Sequence, residues 1–172
     1  MLKPQDTLLL LKYWSLRHSD QSLSLRHLQD AIGISASEAS KGARRLQSAK
    51  LLVNRDKGIF VEQGALLEWL GYGVRYAYSA EVSGFGRGMP TGWNCPLIQS
   101  EMLPPSPPMV WAQPRGVVEG VYLKPIHSSV PLAASKDELL YQIFALVDVI
   151  RMGKSRELGI ARDLLEKLVK GK

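Results

Sequence analysis

Residues 24–61 restrict the possible folds of this chain more than any other stretch. Their pattern predicts two helices that are joined by a short turn and followed by a β-hairpin. Gly33 stands where the first of these helices would end in a left-handed residue, and Ser35 begins an S-x-x-E capping box with Glu38. Only Ile34 separates the glycine from the new cap. The connection is therefore as tight as the turn of a helix-turn-helix.

The helix that begins at Ser35 has two unlike faces, since successive helical residues are turned by about 100°. One face is small and apolar and fits closely on a neighbouring helix: Ala36, Ala39, Ala43 and Leu46. The opposite face carries hydroxyls and cations: Ser37, Ser40, Lys41, Arg44 and Ser48, with Arg45 at its edge. Such a division is typical of a helix that is docked on a protein core and inserted into the major groove of DNA. The alternative is a solvent-facing amphipathic helix in some other small fold.

A β-hairpin is predicted directly after this helix. Two apolar runs, residues 51–53 and 59–61, flank a polar loop that contains glycine. Arg55 and Lys57 would lie at the tip of the hairpin, where cations reach a phosphate or a minor groove.

With a first helix predicted over residues 6–18, the order of three helices and a wing resembles the winged helix-turn-helix regulators of the MarR-like kind. The resemblance is carried by Leu28, Gly33, Ser35, Ala39-Ser40-Lys41, Leu46 and Leu51-Leu52-Val53. Two positions depart from the family pattern, because Ala39 is smaller than the usual Val and Lys50 replaces the usual Gly before the wing. The resemblance covers about the first third of the chain and implies a DNA-binding domain over residues 1–63.

The hypothesis gives the polar residues of this domain two kinds of contact. Ser37, Ser40, Lys41 and Arg44 would approach base edges, where Arg and Lys favour guanine and Ser is permissive. The residues expected to neutralise phosphates, which positions a protein without selecting sequence, are Ser35, Arg45, Arg55 and Lys57.

Charge and cysteine content agree with a DNA partner in a reducing compartment. The net charge is +6, and residues 1–62 alone hold ten Lys or Arg against six Asp or Glu, a net +4. Ribosomal and membrane-surface proteins share such a basic balance. Cys95 is the one cysteine, which excludes an intrachain disulfide and a Cys-based zinc site within the chain. Neither a membrane span nor a signal peptide is predicted, so a cytoplasmic protein is expected.

Residues 64–172 are predicted to form a second region for dimerisation, effector sensing or partner binding. Its first part is predicted as a short helix and then a strand near residues 74–78. Residues 80–116, rich in glycine and proline, are predicted as an ordered but irregular segment, with a disordered linker as the alternative. A second hairpin, residues 110–123, would pair with the strand near 74–78. The expected fold class is thus α+β, with a winged helix-turn-helix followed by short strands, the irregular segment and two terminal helices.

The two terminal helices are expected to start at identifiable caps. Ser135 and Glu138 match a capping box for the first of them, and Ser155 can cap the last. The two helices would complete the core or form a dimer interface.

Other candidate chemistry in the chain is weak. Residues 84–88 lack the Gly-Lys-Ser/Thr of a phosphate loop. Cys95 has no evident base, and His127 stands alone, so neither a catalytic site nor a metal site nor a cofactor is expected. The aromatic residues could line an effector pocket, but core packing is the simpler interpretation for them: Trp69, Tyr72, Tyr76, Tyr78, Trp93 and Trp111.

These observations predict a bacterial-type, sequence-specific DNA-binding transcriptional regulator rather than an enzyme. A repressor acting as a homodimer on double-stranded DNA is favoured, with a small-molecule effector or a protein partner for the C-terminal region. The alternative is an antitoxin or defence-operon regulator whose C-terminal region binds a second protein. A winged helix that contacts only proteins is a third hypothesis.

Overall fold

The computed structural model describes residues 1–16, 25–56, 58–98 and 101–171 and has a mixed α+β fold. The helices are α1 (Pro4–Leu16), α2 (Leu25–Ile32), α3 (Ala36–Ser48), α4 (Gln63–Glu68), α5 (Val74–Ala77), α6 (Val130–Lys136), α7 (Glu138–Met152) and α8 (Ser155–Lys170). A π-helical turn, Trp69–Gly73, joins α4 to α5, and a short 3-10 turn spans Gly92–Asn94. The strands are β1 (Leu52–Arg55), β2 (Gly58–Val61), β3 (Val82–Pro90), β4 (Met109–Ala112) and β5 (Val118–Leu123).

Helix α1 lies at the centre of the molecule. Every residue from Asp6 to Leu16 is buried, as expected of a helix that is apolar around most of its circumference. It packs against α2, α3 and β2 from the N-terminal part of the chain and against α7 from the C-terminal part. One hydrophobic core therefore runs through both regions that the sequence predicts, from Leu46 in α3 to Phe144 in α7. The helix begins at Pro4, two residues earlier than predicted, and the last two residues of the predicted helix, 17 and 18, lie outside the described residues.

A polar cluster around Asp137 fixes α1 to α7. The carboxylate accepts hydrogen bonds from Lys12 Nζ and Ser15 Oγ, both at 2.9 Å, and its second oxygen caps α7 by accepting the Leu140 N–H at 3.2 Å. Burial by itself raises the pKa of Asp137, but the hydrogen bonds from Lys12, the Leu140 N–H and Ser15 outweigh it, so the pKa lies below its ordinary value.

The predicted Ser135–Glu138 capping box is wrong. Ser135 lies inside α6, a short helix that was not predicted. The Ser135 hydroxyl donates to the Leu132 carbonyl at 2.8 Å. Asp137 is the cap because it is the residue with extended backbone between the two helices, with φ −150° and ψ 107°. The last helix begins at Ser155, and Lys154, not Ser155, is its cap.

Replacing Asp137 with Asn is expected to lower the free energy of unfolding near pH 7 by about 2 kcal/mol, a usual value for hydrogen bonds to a charged group. The pKa of Asp137 is lower in the folded chain than in the unfolded chain. The stabilisation is therefore complete above the unfolded value, near 3.8, and is lost as the pH falls through the lower folded value.

Urea unfolding at neutral pH and near pH 2 measures this effect. The difference in the free energy of unfolding between wild type and Asp137→Asn should nearly disappear near pH 2. Asp163→Asn, at an exposed position of α8, is the matched control and should change stability by less than about 0.5 kcal/mol. A stability difference of the same size at both pH values would contradict the role of the charged Asp137 carboxylate.

Residues 63–77 form a continuous helical segment, so the predicted strand near residues 74–78 is wrong. Leu66, Leu70 and Val74 are fully buried at a spacing of four residues, which is a helical stripe and not an alternating one. The glycines that suggested a break are accommodated by the π-helical turn, where Arg162 Nε donates to the Gly71 carbonyl at 2.9 Å.

The segment predicted as irregular contains the longest strand. β3 pairs antiparallel with both β4 and β5, and the three strands close into a small barrel. β4 and β5 run parallel to each other, with Met109 opposite Val121. The predicted antiparallel hairpin over residues 110–123 is therefore wrong, because each of its arms pairs with β3 and the two arms meet in parallel.

Glycine makes this narrow barrel possible. A Cβ on Gly88 would lie 2.2 Å from the Trp111 carbonyl oxygen, and a Cβ on Gly120 would lie 2.2 Å from the Pro108 carbonyl oxygen. Three strands give such a short circumference that their backbones come almost into contact, and only glycine leaves room for it. The glycines thus belong to strands in close contact and not to a loop.

Candidate functional site

The turn between α2 and α3 has the geometry that the sequence predicts. Gly33 adopts φ +67°, and its N–H donates to the Gln29 carbonyl at 2.8 Å, which ends α2. Ser35 has extended backbone and caps α3, its hydroxyl accepting the Glu38 N–H at 3.3 Å. Only residues 33–35 lie between the two helices.

The inner face of α3 packs on α1 at very close range. Ala39, Gly42 and Leu46 are buried, whereas Ala36 is exposed and Ala43 is half-buried. A Cβ on Gly42 would lie 2.9 Å from both Asp6 Oδ1 and Leu9 Cδ2. Gly42 was not predicted to belong to this face. A glycine inside a helix costs about 1 kcal/mol relative to alanine, so its presence indicates that a neighbouring helix comes very close.

Arg45 joins α3 to α1 through a buried carboxylate. Its Nε and Nη2 donate to the two oxygens of Asp6, both at 2.7 Å, and Asp6 also accepts the Lys3 N–H at 2.8 Å. Asp6 is fully buried. Such a bidentate pair fixes orientation as well as distance, so Arg45 holds α3 in place on α1.

The outer face of α3 is open to solvent. Its exposed side chains include every residue that the sequence assigns to base contacts: Ser37, Ser40, Lys41 and Arg44. Arg44 forms no ion pair within the described parts of the chain. Lys41 Nζ lies 3.6 Å from Glu38 Oε1, and Glu38 Oε2 accepts from Gln5 Nε2 at 2.5 Å. The Gln5 side chain of α1 therefore holds the Glu38 carboxylate next to Lys41.

Helix α3 ends in a Schellman motif. The Lys50 N–H donates to the Gln47 carbonyl and the Leu51 N–H to the Leu46 carbonyl, both at 3.0 Å. Lys50 occupies the left-handed position with φ +61°. Glycine adopts this conformation without the steric cost that a Cβ adds.

Replacing Lys50 with Gly is expected to raise the free energy of unfolding by about 1 kcal/mol. The left-handed conformation costs a non-glycine residue roughly 1–2 kcal/mol, and the greater freedom of glycine in the unfolded chain offsets part of that gain. Urea unfolding measures the change. Lys50→Ala is the control and should stay within about 0.5 kcal/mol of wild type. Equal stabilities of the Gly and Ala variants would contradict the explanation.

The β1–β2 hairpin projects next to α3. Buried Leu52 and Val61 face each other at its base, and Arg55 pairs with Gly58 at its far end. The Arg55 guanidinium lies 2.6 Å from Glu62 Oε1 and stacks 5.5 Å from the Phe60 ring, while its side chain stays 61% exposed. Lys57, the other predicted phosphate contact, lies outside the described residues.

The remaining candidates for chemistry are the Gly84–Gly88 segment, Cys95 and His127. The Gly84–Gly88 segment is part of β3 and forms no phosphate loop. Cys95 is fully buried, and burial raises the pKa of its thiol. His127 Nδ1 accepts the Ser129 N–H at 3.2 Å, and burial lowers the pKa of its ring. Within the described ranges, no three His, Cys, Asp or Glu side chains are grouped so that they could hold a metal ion.

Core packing is wrong for two of the six aromatic residues, since Tyr72 and Tyr76 are 58% and 83% exposed. The other four lie in the core or pack against it: Trp69, Tyr78, Trp93 and Trp111. Trp111 is fully buried and donates from Nε1 to Asp148 Oδ2 at 2.7 Å, and Trp69 Nε1 donates to Thr7 Oγ1 at 3.1 Å. A large cleft lies elsewhere, between the start of α1, the barrel and the segment that leads into α6. No helix in the parts of the chain that the structure describes has the length and apolarity needed to cross a membrane.

Neither a family model nor a curated protein nor a solved structure matches this chain.

Proposed function

We propose that this chain is a sequence-specific DNA-binding transcriptional regulator. In this proposal α2, α3 and the β1–β2 hairpin act as a winged helix-turn-helix of the MarR-like kind, and α3 enters the major groove. One observation carries the proposal: α3 is fixed to α1 on one face and presents a row of exposed hydroxyls and cations on the other.

In this proposal the exposed side chains of α3 contact base edges in two ways. Lys41 and Arg44 donate to guanine, whereas Ser37 and Ser40 accept either base type. Ser35, at the start of α3, and the hairpin cations Arg55 and Lys57 contact phosphates and set the register of the protein on the duplex. Arg45 acts indirectly, because its ion pair with Asp6 sets the angle at which α3 leaves the core.

The regulator we propose acts in the cytoplasm as a homodimeric repressor. A two-fold dimer reads a two-fold operator, with one α3 helix per half-site and half-sites about one helical turn apart. Residues 64–172 supply the contacts that join the subunits or respond to a signal.

Fluorescence anisotropy with a labelled fragment from upstream of the chain's own gene tests the proposal. Binding should be at least about 1,000-fold tighter than to a scrambled fragment of the same length. Its affinity should fall steeply with rising salt, as phosphate contacts require. Binding that shows neither preference nor salt dependence would contradict the proposal.

A second candidate is an antitoxin or defence-operon regulator that holds a protein partner through its C-terminal region. Exposed apolar side chains favour it: Phe85 and Val117 on the barrel are 60% and 93% exposed, and Leu103 is 90% exposed. Contiguous apolar surface marks docking sites, and the second candidate requires these side chains to belong to one such patch. A stable one-to-one complex with the product of a neighbouring gene, lost in a Phe85→Ser, Val117→Ser variant, would support it.

A further inference from the structure

A groove of about 270 Å³ lies beside the turn that joins α7 to α8. Its lining is mostly apolar, and Lys154 and Glu157 border it at the start of α8. The apolar lining includes Trp93, Pro105, Met109 and Met152. Small-molecule sites usually have volumes of about 300–1,000 Å³. The groove is smaller than most such sites, and its size suits a single large side chain of another protein.

The walls of the groove are held in place by backbone hydrogen bonds. Asn94, which is 6% exposed, donates from Nδ2 to the Pro105 carbonyl and accepts the Met109 N–H, both at 3.0 Å. At the other side the Gly153 N–H donates to the Val149 carbonyl at 2.6 Å. The groove is therefore built into the fold, so an occupant binds with little cost for ordering its walls.

Two methionines and a tryptophan determine what the groove can hold. Met109 and Met152 are half-buried, and the flexible thioether side chain adapts to apolar groups of different shapes. Trp93 is 6% exposed, and its Nε1–H has no acceptor among the described residues. A buried donor without an acceptor is unfavourable. An occupant that combines an apolar side chain with oxygen acceptors complements this lining.

The groove continues onto an exposed apolar row of the barrel. Met109 of β4 lies opposite Val121 of β5, and Val121 lies opposite Phe85 of β3. Residues that pair across neighbouring strands point to the same face of a sheet. Phe85, 60% exposed, is therefore the outer end of a row that leads into the groove.

The start of α8 gives the border of the groove a net positive charge. Lys154 lines the groove, and Arg156 lies in the same turn of α8. Both side chains are exposed, and neither forms an ion pair with any described residue. Glu157 adds one negative charge, and its Oε2 accepts the Lys154 N–H at 2.7 Å. Two cations and one fixed carboxylate favour an occupant with several acidic groups.

We infer that this groove docks an acidic segment of a partner protein, which inserts one large apolar side chain and places carboxylates beside Lys154 and Arg156. The apolar anchor supplies most of the affinity, and the charges reject basic segments. The inference rests on the second candidate function, which requires a protein partner, and it is independent of DNA binding by α3.

Fluorescence anisotropy with labelled peptides of the form Asp-Glu-X-Asp-Glu, with Leu, Met or Phe at X, tests the inference. At least one of the three should bind saturably with one equivalent. The same peptide with Ser at X, and a peptide with Lys at all four acidic positions, should each bind about tenfold more weakly or worse. Binding by none of the three, or equal binding of the Ser peptide, would overturn the groove.

Pro105→Trp places bulk in the groove and should weaken peptide binding by about tenfold or more. Pro114→Trp makes the same change at an exposed position outside the groove and should bind like wild type. Equal binding by the two variants would contradict docking in the groove.

Lys154→Glu/Arg156→Glu should also weaken binding by about tenfold or more. Acidic residues are favourable in the first turn of a helix, so α8 should remain folded, which circular dichroism checks. Arg115→Glu/Lys167→Glu reverses two charges at exposed positions outside the groove and is the matched control. Equal binding by the two charge variants would contradict the acidic partner.

Two further measurements separate the other possible occupants. Sodium phosphate should displace the peptide no better than sodium chloride at the same ionic strength, and stronger displacement would make the groove a general anion site. A self-association in sedimentation that Lys154→Glu/Arg156→Glu abolishes would assign the groove to a second copy of the chain. Either result would overturn the inference.

Failure of the groove and failure of the proposed functions give different results. A complex with the product of a neighbouring gene that survives Lys154→Glu/Arg156→Glu would support the second candidate function and overturn the groove. If the chain binds no DNA, the first function fails, and the peptide titration still decides the groove.

Discussion

Replacing Arg151 with Met is expected to lower the free energy of unfolding by about 3–5 kcal/mol, the usual cost of removing one partner of a buried ion pair. Arg151 Nη1 donates to Asp148 Oδ1 at 2.7 Å in a pair whose side chains are 2% and 3% exposed. Its other donors reach the carbonyls of Tyr78, Ser79 and Lys124 at 2.9–3.1 Å. One side chain therefore ties α7 to the end of α5 and to the end of β5.

Asp148 explains why the loss should be so large. Its second oxygen accepts from Thr91 Oγ1 and Trp111 Nε1, both at 2.7 Å. Complete burial raises the pKa of Asp148, and the positive charge of Arg151 is the strongest influence that opposes the rise. Without Arg151 the carboxyl group remains either charged in an apolar interior or protonated with fewer hydrogen bonds.

Urea unfolding of Arg151→Met measures the effect. Arg156→Met, at an exposed position of α8, is the matched control and should stay within about 0.5 kcal/mol of wild type. Adding Asp148→Asn to Arg151→Met should recover part of the loss, because it removes the unpaired charge. A loss below about 1 kcal/mol for Arg151→Met would contradict the role of the cluster.

The sequence was most informative where the structure is determined locally. The left-handed residue at Gly33 and the cap at Ser35 each depend on hydrogen bonds within four residues, so spacing alone predicts them. The hairpin from Leu52 to Val61 is similarly local, with a glycine at the turn. The α+β class follows from such signals.

Contacts between distant residues were not predictable from spacing. The Arg45–Asp6 pair joins positions 39 residues apart, and the Arg151–Lys124 contact joins positions 27 residues apart. Arg45 was therefore assigned to phosphate from its position on the helix, whereas in the structure Asp6 binds it. The cleft between α1 and the barrel was not predicted for the same reason, since its walls combine residues 3–5 with residues 81–131.

The barrel shows how composition can mislead. Glycine is common in loops, and proline lacks the N–H that most positions in a β-sheet donate. Residues 80–116 were therefore predicted to be irregular. Yet Gly86 and Gly88 alternate with Phe85 and Arg87 along β3, and a Cβ on either glycine would clash with a neighbouring strand. That period of two was present in the sequence and could have indicated a strand that lies close against other backbones.

Replacing Lys41 and Arg44 together with Ala is expected to weaken operator binding by about 100-fold or more, since each good contact to a base contributes about 1–3 kcal/mol. Both side chains are exposed on the outer face of α3, away from the contacts with α1. Stability should therefore change little, and the loss should come from the interface. The salt dependence should also become shallower, because two positive charges are removed from an interface that is surrounded by phosphates.

The most direct measurement is therefore operator affinity across a salt series for wild type, Lys41→Ala/Arg44→Ala, and the control Arg115→Ala/Arg156→Ala. The control removes the same two charges from exposed positions far along the chain from α3. DNA recognition by α3 predicts a large loss of affinity and a shallower slope in the first variant and small changes in the second. Equal affinities and slopes for the two variants would contradict it.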